Sequence, residues 1–86
     1  MELSEAVEVA EEFLRRSVAP GEPPMAIDRS RVRAKQGILI APYNSVRFLE
    51  TRDPFDQLLG CWPILVDLAT GVARFGRLEE RDFWRL

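Results

Sequence analysis

The chain has 86 residues, of which 47% are apolar and 30% are charged, with a formal net charge of −2 at pH 7. This length and balance predict one folded domain spanning residues 1–86 and argue against intrinsic disorder. The acidic balance argues against a dedicated nucleic-acid binder, which normally carries a basic excess, so nucleic acid is not the expected partner.

The scarcity of histidine and cysteine bears on catalysis and metal binding. The sequence has no histidine, the commonest general base and metal ligand, and one cysteine, Cys61. A single cysteine forms no internal disulfide or thiolate zinc site, and it fits a reducing compartment. Because neither Gly60 nor Trp62 supplies positive charge beside it, we expect Cys61 to pack and not to act as a nucleophile.

Acidic residues and glycines show no pattern of a ligand site either. The spacing of Glu50, Asp53 and Asp56 lacks the alternating ligands of a calcium loop, and helix capping explains the two aspartates better. The five glycines are scattered singly, so no phosphate-binding loop is present. We therefore predict no enzyme activity, no cofactor and no metal.

The N-terminus and the apolar runs indicate where the protein works. The first residues, MELSEAVEVAEE, are acidic where a secretion signal would be basic. No apolar run approaches the roughly 18 residues that span a bilayer. We expect a cytoplasmic protein without a membrane partner.

The first predicted element is a helix over about residues 5–16. Ser4 is a suitable N-cap, and Arg15 and Arg16 in the last turn complement the helix dipole. We expect the exposed ion pairs Glu11–Arg15 and Glu12–Arg16. Apolar residues recur at three- and four-residue spacing and predict one buried face: Leu3, Ala6, Val7, Ala10, Phe13 and Leu14.

Strands follow a proline-rich loop over residues 17–25. The alternation in residues 26–35 predicts a half-exposed strand, and Gln36 and Gly37 turn it back into a second strand over residues 38–41. A third short strand is predicted at about residues 46–50, where Val46 and Phe48 share a face.

The C-terminal half is predicted to contain short helices and a hairpin. Asp53 and Pro54 favour the start of a short helix over residues 53–60. An antiparallel hairpin is predicted for residues 62–67 and 72–75, with Gly71 in a left-handed conformation. A terminal helical turn is predicted over residues 79–86. The fold class is therefore α+β: a small antiparallel sheet packed against an N-terminal helix, with helices covering one face.

One charged pattern indicates a partner surface. In a strand over residues 26–35, Arg29, Arg31, Arg33 and Lys35 would project onto one face, where they could bind an acidic protein surface or a phosphate backbone. The alternative interpretation, which we favour, is an edge strand that uses charge to block aggregation. Trp84 is a candidate aromatic anchor near the chain end.

The central and C-terminal residues resemble the immunity protein 35 domain over about residues 37–76, with the N-terminal helix compatible in position. The resemblance is carried by Gly37-Ile38-Leu39-Ile40, Tyr43-Asn44-Ser45, Phe48-Leu49-Glu50-Thr51, Asp53, Leu59-Gly60, Pro63-Ile64-Leu65-Val66-Asp67 and Thr70-Gly71. The family usually has a glycine where this sequence has Arg52.

This resemblance implies a small bacterial cytoplasmic α+β protein that neutralises a cognate toxin of a polymorphic toxin system by direct binding, without catalytic residues. A chaperone-like role has also been proposed for some members. We therefore expect a toxin or its toxin domain as the partner. The alternative is a chaperone-like or self-assembling structural module, which would expose an apolar patch.

Overall fold

The chain folds around a four-stranded antiparallel sheet with helical segments on both faces. The computed structural model describes residues 1–59 and 61–85. Its helices are α1 Leu3–Ser17, α2 Val46–Thr51 and α3 Arg81–Trp84. Its 3₁₀ turns are Arg29–Arg31, Pro54–Asp56 and Leu78–Glu80. Its strands are β1 Met25–Ile27, β2 Arg33–Lys35, β3 Ile38–Ala41, β4 Tyr43–Ser45, β5 Ile64–Asp67 and β6 Ala73–Phe75.

The larger sheet has the order β2-β3-β5-β6, and β1 pairs with β4 in a separate two-stranded sheet. The α+β class and the antiparallel hairpins are confirmed, although the predicted single sheet is two sheets. The β2–β3 turn has positive φ at Gln36 (52°) and Gly37 (78°), as the tightest hairpin turns require. Gly71, with φ of 76°, adopts the predicted left-handed conformation.

Helix α1 packs on one face of the larger sheet. Its buried residues, Ala6, Ala10 and Leu14, join the core with strand residues Leu39, Ala41, Ile64 and Val66. Across the same face, the Phe13 and Phe75 rings meet edge to face at 4.9 Å between centroids. The apolar stripe of α1 was predicted correctly except at its end, because Leu3 is 53% exposed.

The start and the ion pairs of α1 differ from the prediction. The helix begins at Leu3, with Glu2 as the N-cap, and the Glu2 backbone N–H donates to Glu5 Oε1 at 3.3 Å. Glu12 pairs with Arg16 at 3.7 Å, as predicted, and with Arg15. The predicted Glu11–Arg15 pair is wrong, because Glu11 binds Arg29 across the fold at 2.6 Å.

The opposite face of the larger sheet carries the C-terminal segment. Arg33 of β2 lies opposite Ile40, so its side chain is on the face away from the Leu39 row. From there Arg33 donates to the Trp84 carbonyl, and Lys35 donates to the Phe83 carbonyl at 2.9 Å. The expectation that helices cover one face is therefore wrong: the sheet lies between α1 and the C-terminal segment.

The predicted strand over residues 26–35 is wrong, because a buried aspartate divides it. Asp28 is 6% exposed, and its carboxylate accepts hydrogen bonds from Arg52 and from Ser30. The Arg31 N–H donates to the Asp28 carbonyl at 3.0 Å and closes the 3₁₀ turn. The two halves therefore become β1 and β2, in different sheets.

The predicted strand over residues 46–50 is helix α2. The Ser45 hydroxyl accepts a hydrogen bond from the Phe48 N–H at 3.1 Å and caps the helix. Arg52 ends it with φ of 57°, in the left-handed region that favours glycine.

The predicted helix over residues 53–60 is one 3₁₀ turn, Pro54–Asp56, in which Asp53 is the predicted cap and accepts from the Phe55 N–H at 3.0 Å. Its predicted end, Gly60, lies outside the described residues. The terminal turn predicted over residues 79–86 is confirmed as Leu78–Glu80 and α3, and Leu86 lies outside the described residues.

Candidate functional site

A cleft between the Arg29–Arg31 turn and the C-terminal segment brings basic and aromatic side chains together. Its cavity has a volume of about 290 Å³. Seven residues line it: Arg31, Arg33, Pro42, Cys61, Pro63, Trp84 and Arg85. Three of the five predicted partner-binding residues, Arg31, Arg33 and Trp84, therefore share one cavity. We name it the arginine cleft.

The other two predicted residues lie elsewhere and have partners within the chain. Arg29 forms its 2.6 Å ion pair with Glu11 of α1. Lys35 lies 4.9 Å from the centroid of the Phe83 ring, in addition to its hydrogen bond to the Phe83 carbonyl. Because residues 29–31 form a 3₁₀ turn, the four cations do not line one strand face. β2 is nevertheless an edge strand, as the alternative interpretation holds.

Trp84 is held in place by its own chain. Its indole Nε1–H donates to the Arg77 carbonyl at 3.1 Å. The ring lies so close to Gly76 that a Cβ there would lie 3.0 Å from Nε1, a contact that would force the ring to shift by a few tenths of an ångström. Trp84 is half-buried and forms a fixed wall of the cleft.

The arginines of the cleft carry charge that described carboxylates do not neutralise. In residues 1–59 and 61–85, no carboxylate lies within 4.0 Å of a side-chain nitrogen of Arg31, Arg33 or Arg85. Arg33 donates to the Trp84 carbonyl, which places its guanidinium against the C-terminal segment. The cleft is therefore locally basic in a protein whose net charge is −2.

Cys61 lines the cleft, and Tyr43 forms a hydrogen bond with it; burial is the largest influence on the pKa of each. Burial raises the pKa of the Cys61 thiol, although a hydrogen bond with Tyr43 partly offsets this. Burial, together with Cys61, raises the pKa of Tyr43 to about 12. A thiol with a raised pKa is a poor nucleophile, which agrees with the packing role predicted for Cys61.

A second, smaller cavity continues the arginine cleft. It has a volume of about 220 Å³ and shares Arg31, Pro42 and Cys61 with the cleft. Its lining is mixed: it includes the apolar side chains of Phe48, Leu58 and Leu59 and the polar side chains of Asp28, Tyr43, Asn44 and Gln57. The two cavities together form a groove that is basic at one end and mixed polar and apolar at the other.

The segment beside this groove exposes large apolar side chains that sequence reasoning missed. Phe55 is 97% exposed, Leu59 is 88% exposed and Trp62 is 40% exposed. Arg85 was also missed. The sequence signal that could have indicated the exposed apolar side chains is the concentration of apolar residues between Pro54 and Pro63, in a segment with neither helical nor strand periodicity.

Two further searches of residues 1–59 and 61–85 gave negative results. No group of three or more cysteine, aspartate or glutamate side chains is placed to hold a metal ion. No helix in this part of the chain is long and apolar enough to cross a membrane.

Comparison with known proteins identifies the family. The family model described as immunity protein 35 matches residues 4–83 of the chain. The match extends the resemblance seen in residues 37–76 to α1 and to most of α3. No curated protein and no solved structure matches the chain. Because the family model covers nearly the whole sequence, this chain belongs to the immunity protein 35 family.

Proposed function

We propose that this protein neutralises a cognate protein toxin in the bacterial cytoplasm by binding to it directly, without catalysing a reaction. The observation that carries the proposal is the family match over residues 4–83. A surface that is already formed in the free protein favours tight inhibition by binding, because ordering a flexible surface would cost affinity.

The groove supports this proposal. Its basic wall is built from an edge strand, a 3₁₀ turn and the C-terminal segment, which hydrogen bonds from Arg33 and Lys35 tie to the sheet. Exposed Phe55 and Leu59 beside it are side chains of the kind that supply contact area in protein interfaces. A basic cleft next to exposed apolar groups suits a protein partner better than a small substrate.

Two linked experiments test the proposal. The tagged protein is used to capture partners from its source cell, and each stoichiometric partner is then expressed alone and together with this protein. We expect one partner whose toxin domain arrests growth alone and permits growth in co-expression, with the partner's mass unchanged. Growth arrest that co-expression fails to relieve, or a covalently altered partner, would contradict neutralisation by binding.

The exposure of Phe55 and Leu59 also favours a second candidate function, a chaperone-like or self-assembling module. This alternative predicts many unrelated captured proteins or a concentration-dependent oligomer of the purified chain. Light scattering over a range of concentrations measures the oligomer directly. A monomer with one stoichiometric toxin partner would contradict both forms of the alternative.

A further inference from the structure

We propose that the arginine cleft is a carboxylate-binding pocket that receives a glutamate or aspartate side chain of the protein partner. The proposal rests on the proposed function for the identity of the partner, but the chemistry of the pocket stands on its geometry. Arg31, Arg33 and Arg85 come from three separate segments of the chain and line a single cavity.

The electrostatics of the cleft favour an anion. Six other arginines form ion pairs with acidic side chains of this chain: Arg15, Arg16, Arg29, Arg47, Arg52 and Arg74. The described carboxylates leave the three cleft arginines without such a pair. The remaining walls from Pro42, Pro63 and Trp84 carry no opposing charge, so the charge of the cavity is set by the three guanidinium groups.

The donor geometry favours a carboxylate. A guanidinium has five N–H donors in a planar fork that matches the two oxygens of a carboxylate. Arg33 donates one hydrogen bond to the Trp84 carbonyl. Its other N–H groups, and those of Arg31 and Arg85, can donate to a bound anion. Three guanidinium groups around one cavity can thus surround both oxygens of a side-chain carboxylate.

The size of the cavity argues against a larger anion. At about 290 Å³ it lies at the bottom of the range of about 300–1,000 Å³ that small-molecule sites occupy, and it is open to solvent. An acidic side chain that projects from a protein surface fits this space. The adjoining cavity, with Leu58 and Leu59 among its lining residues, would then contact the neighbouring residues of the same partner segment.

A peptide titration tests the pocket without the toxin. The probe is a short capped peptide with two adjacent glutamates, and the control is the same peptide with glutamines. NMR of the folded ¹⁵N-labelled protein follows the Trp84 indole N–H, which forms part of the pocket, with the backbone amides of α1, on the opposite face of the sheet, as an internal reference. We expect a saturable shift of the Trp84 signal with the glutamate peptide that weakens when salt is raised.

Matched variants assign the effect to the cleft. Arg31→Gln combined with Arg85→Gln should weaken glutamate-peptide binding by about tenfold or more, the loss expected when charge-assisted hydrogen bonds are removed. Arg15→Gln combined with Arg16→Gln, an equal loss of charge at exposed arginines of α1, should leave it unaltered. A glutamine peptide that shifts Trp84 equally, no saturable shift, or full binding by the double variant would overturn the proposal.

Inorganic phosphate separates carboxylate from phosphate recognition. If phosphate binds the cleft more tightly than the glutamate peptide does, the assignment to a protein carboxylate is wrong. Failure of the peptide titration would leave toxin neutralisation standing with a different contact surface. Failure of the growth experiment, with the peptide titration positive, would instead remove the toxin as the partner and keep the pocket.

Discussion

The ion pair between Asp28 and Arg52 gives the sharpest test of how this fold is held together. Two Asp28–Arg52 hydrogen bonds, of 2.9 and 3.2 Å, join the turn after β1 to the end of α2. A third, of 2.7 Å, comes from the Ser30 hydroxyl. Because Asp28 is buried, its charge depends on these donors, and the same residue shapes the turn that carries Arg31 into the cleft.

Asp28→Asn keeps the shape of the side chain and removes its charge. Hydrogen bonds to a charged group contribute about 1.5–3 kcal/mol, so we expect a loss of about 2 kcal/mol from the free energy of unfolding. For a domain of this size each kcal/mol shifts Tm by about 4–8 °C, so Tm should fall by about 8–16 °C. Circular dichroism during heating measures the shift.

The pH dependence provides a second, independent check. The hydrogen bonds from Arg52 hold the pKa of Asp28 below its usual value. Since the folded pKa is below the unfolded one, the stabilisation is present above the unfolded value of about 3.9 and is lost as pH falls through the folded pKa. The difference between wild type and Asp28→Asn should therefore be largest at neutral pH and should close in acid.

The matched control is Glu12→Gln, which removes the carboxylate of exposed pairs on α1. It should leave Tm unchanged within error, because exposed ion pairs contribute little. If Asp28→Asn is no less stable than Glu12→Gln at neutral pH, or if its deficit persists at acid pH, the buried ion pair does not stabilise the fold as reasoned here.

Three further predictions concern single side chains. Tyr43 is the only tyrosine, so ultraviolet titration reports it alone; its midpoint should lie near 12 because of burial, and a midpoint near 10 would show an exposed phenol. Ser45→Ala should lower the free energy of unfolding by about 1 kcal/mol through loss of the α2 cap, whereas Ser4→Ala should be neutral, since Ser4 lies inside α1; equal losses in urea denaturation would contradict the assignment of caps. Leu39→Ala should cost about 2–5 kcal/mol, because Leu39 is fully buried in the core, and a loss below about 1 kcal/mol in the same assay would place it outside the core.

Local patterns predicted the hairpins and α1 because their signals act over a few residues. Gln36 and Gly37 form a turn by their own backbone conformations. The spacing of Ala6, Ala10 and Leu14 predicts the buried face of α1 without information from any other segment. The family, likewise, could be identified from short motifs in sequence order.

Long-range contacts caused the errors. Residues 26–35 alternate as a strand would, but the bonds from Asp28 to Arg52, 24 positions away, turn the chain between β1 and β2. Val46 and Phe48 also suit a strand, yet the Ser45 cap selects a helix. A pattern of side chains in one segment contains no information about such partners.

The candidate site was predicted only in part for the same reason. Arg31, Arg33 and Trp84 were identified, but Arg85 was missed, because only the folded C-terminal segment brings it beside β2. Arg29 was included wrongly in the strand face, because it lies in a 3₁₀ turn and pairs with Glu11. Lys35 shares a face of β2 with Arg33, but it lies outside the cleft, where it donates to the Phe83 carbonyl. The exposed Phe55 and Leu59 resemble core residues in composition, and only the fold shows that nothing in the described chain covers them.

Titration of the toxin's own activity with purified protein tests the central claim most directly. Direct neutralisation predicts that activity falls in proportion to the protein added, reaches its minimum near equal molar amounts, and returns when the complex is dissociated. Loss of activity at far less than equal amounts, or activity that does not return on dissociation, would show a catalysed change of the toxin and would contradict neutralisation by binding.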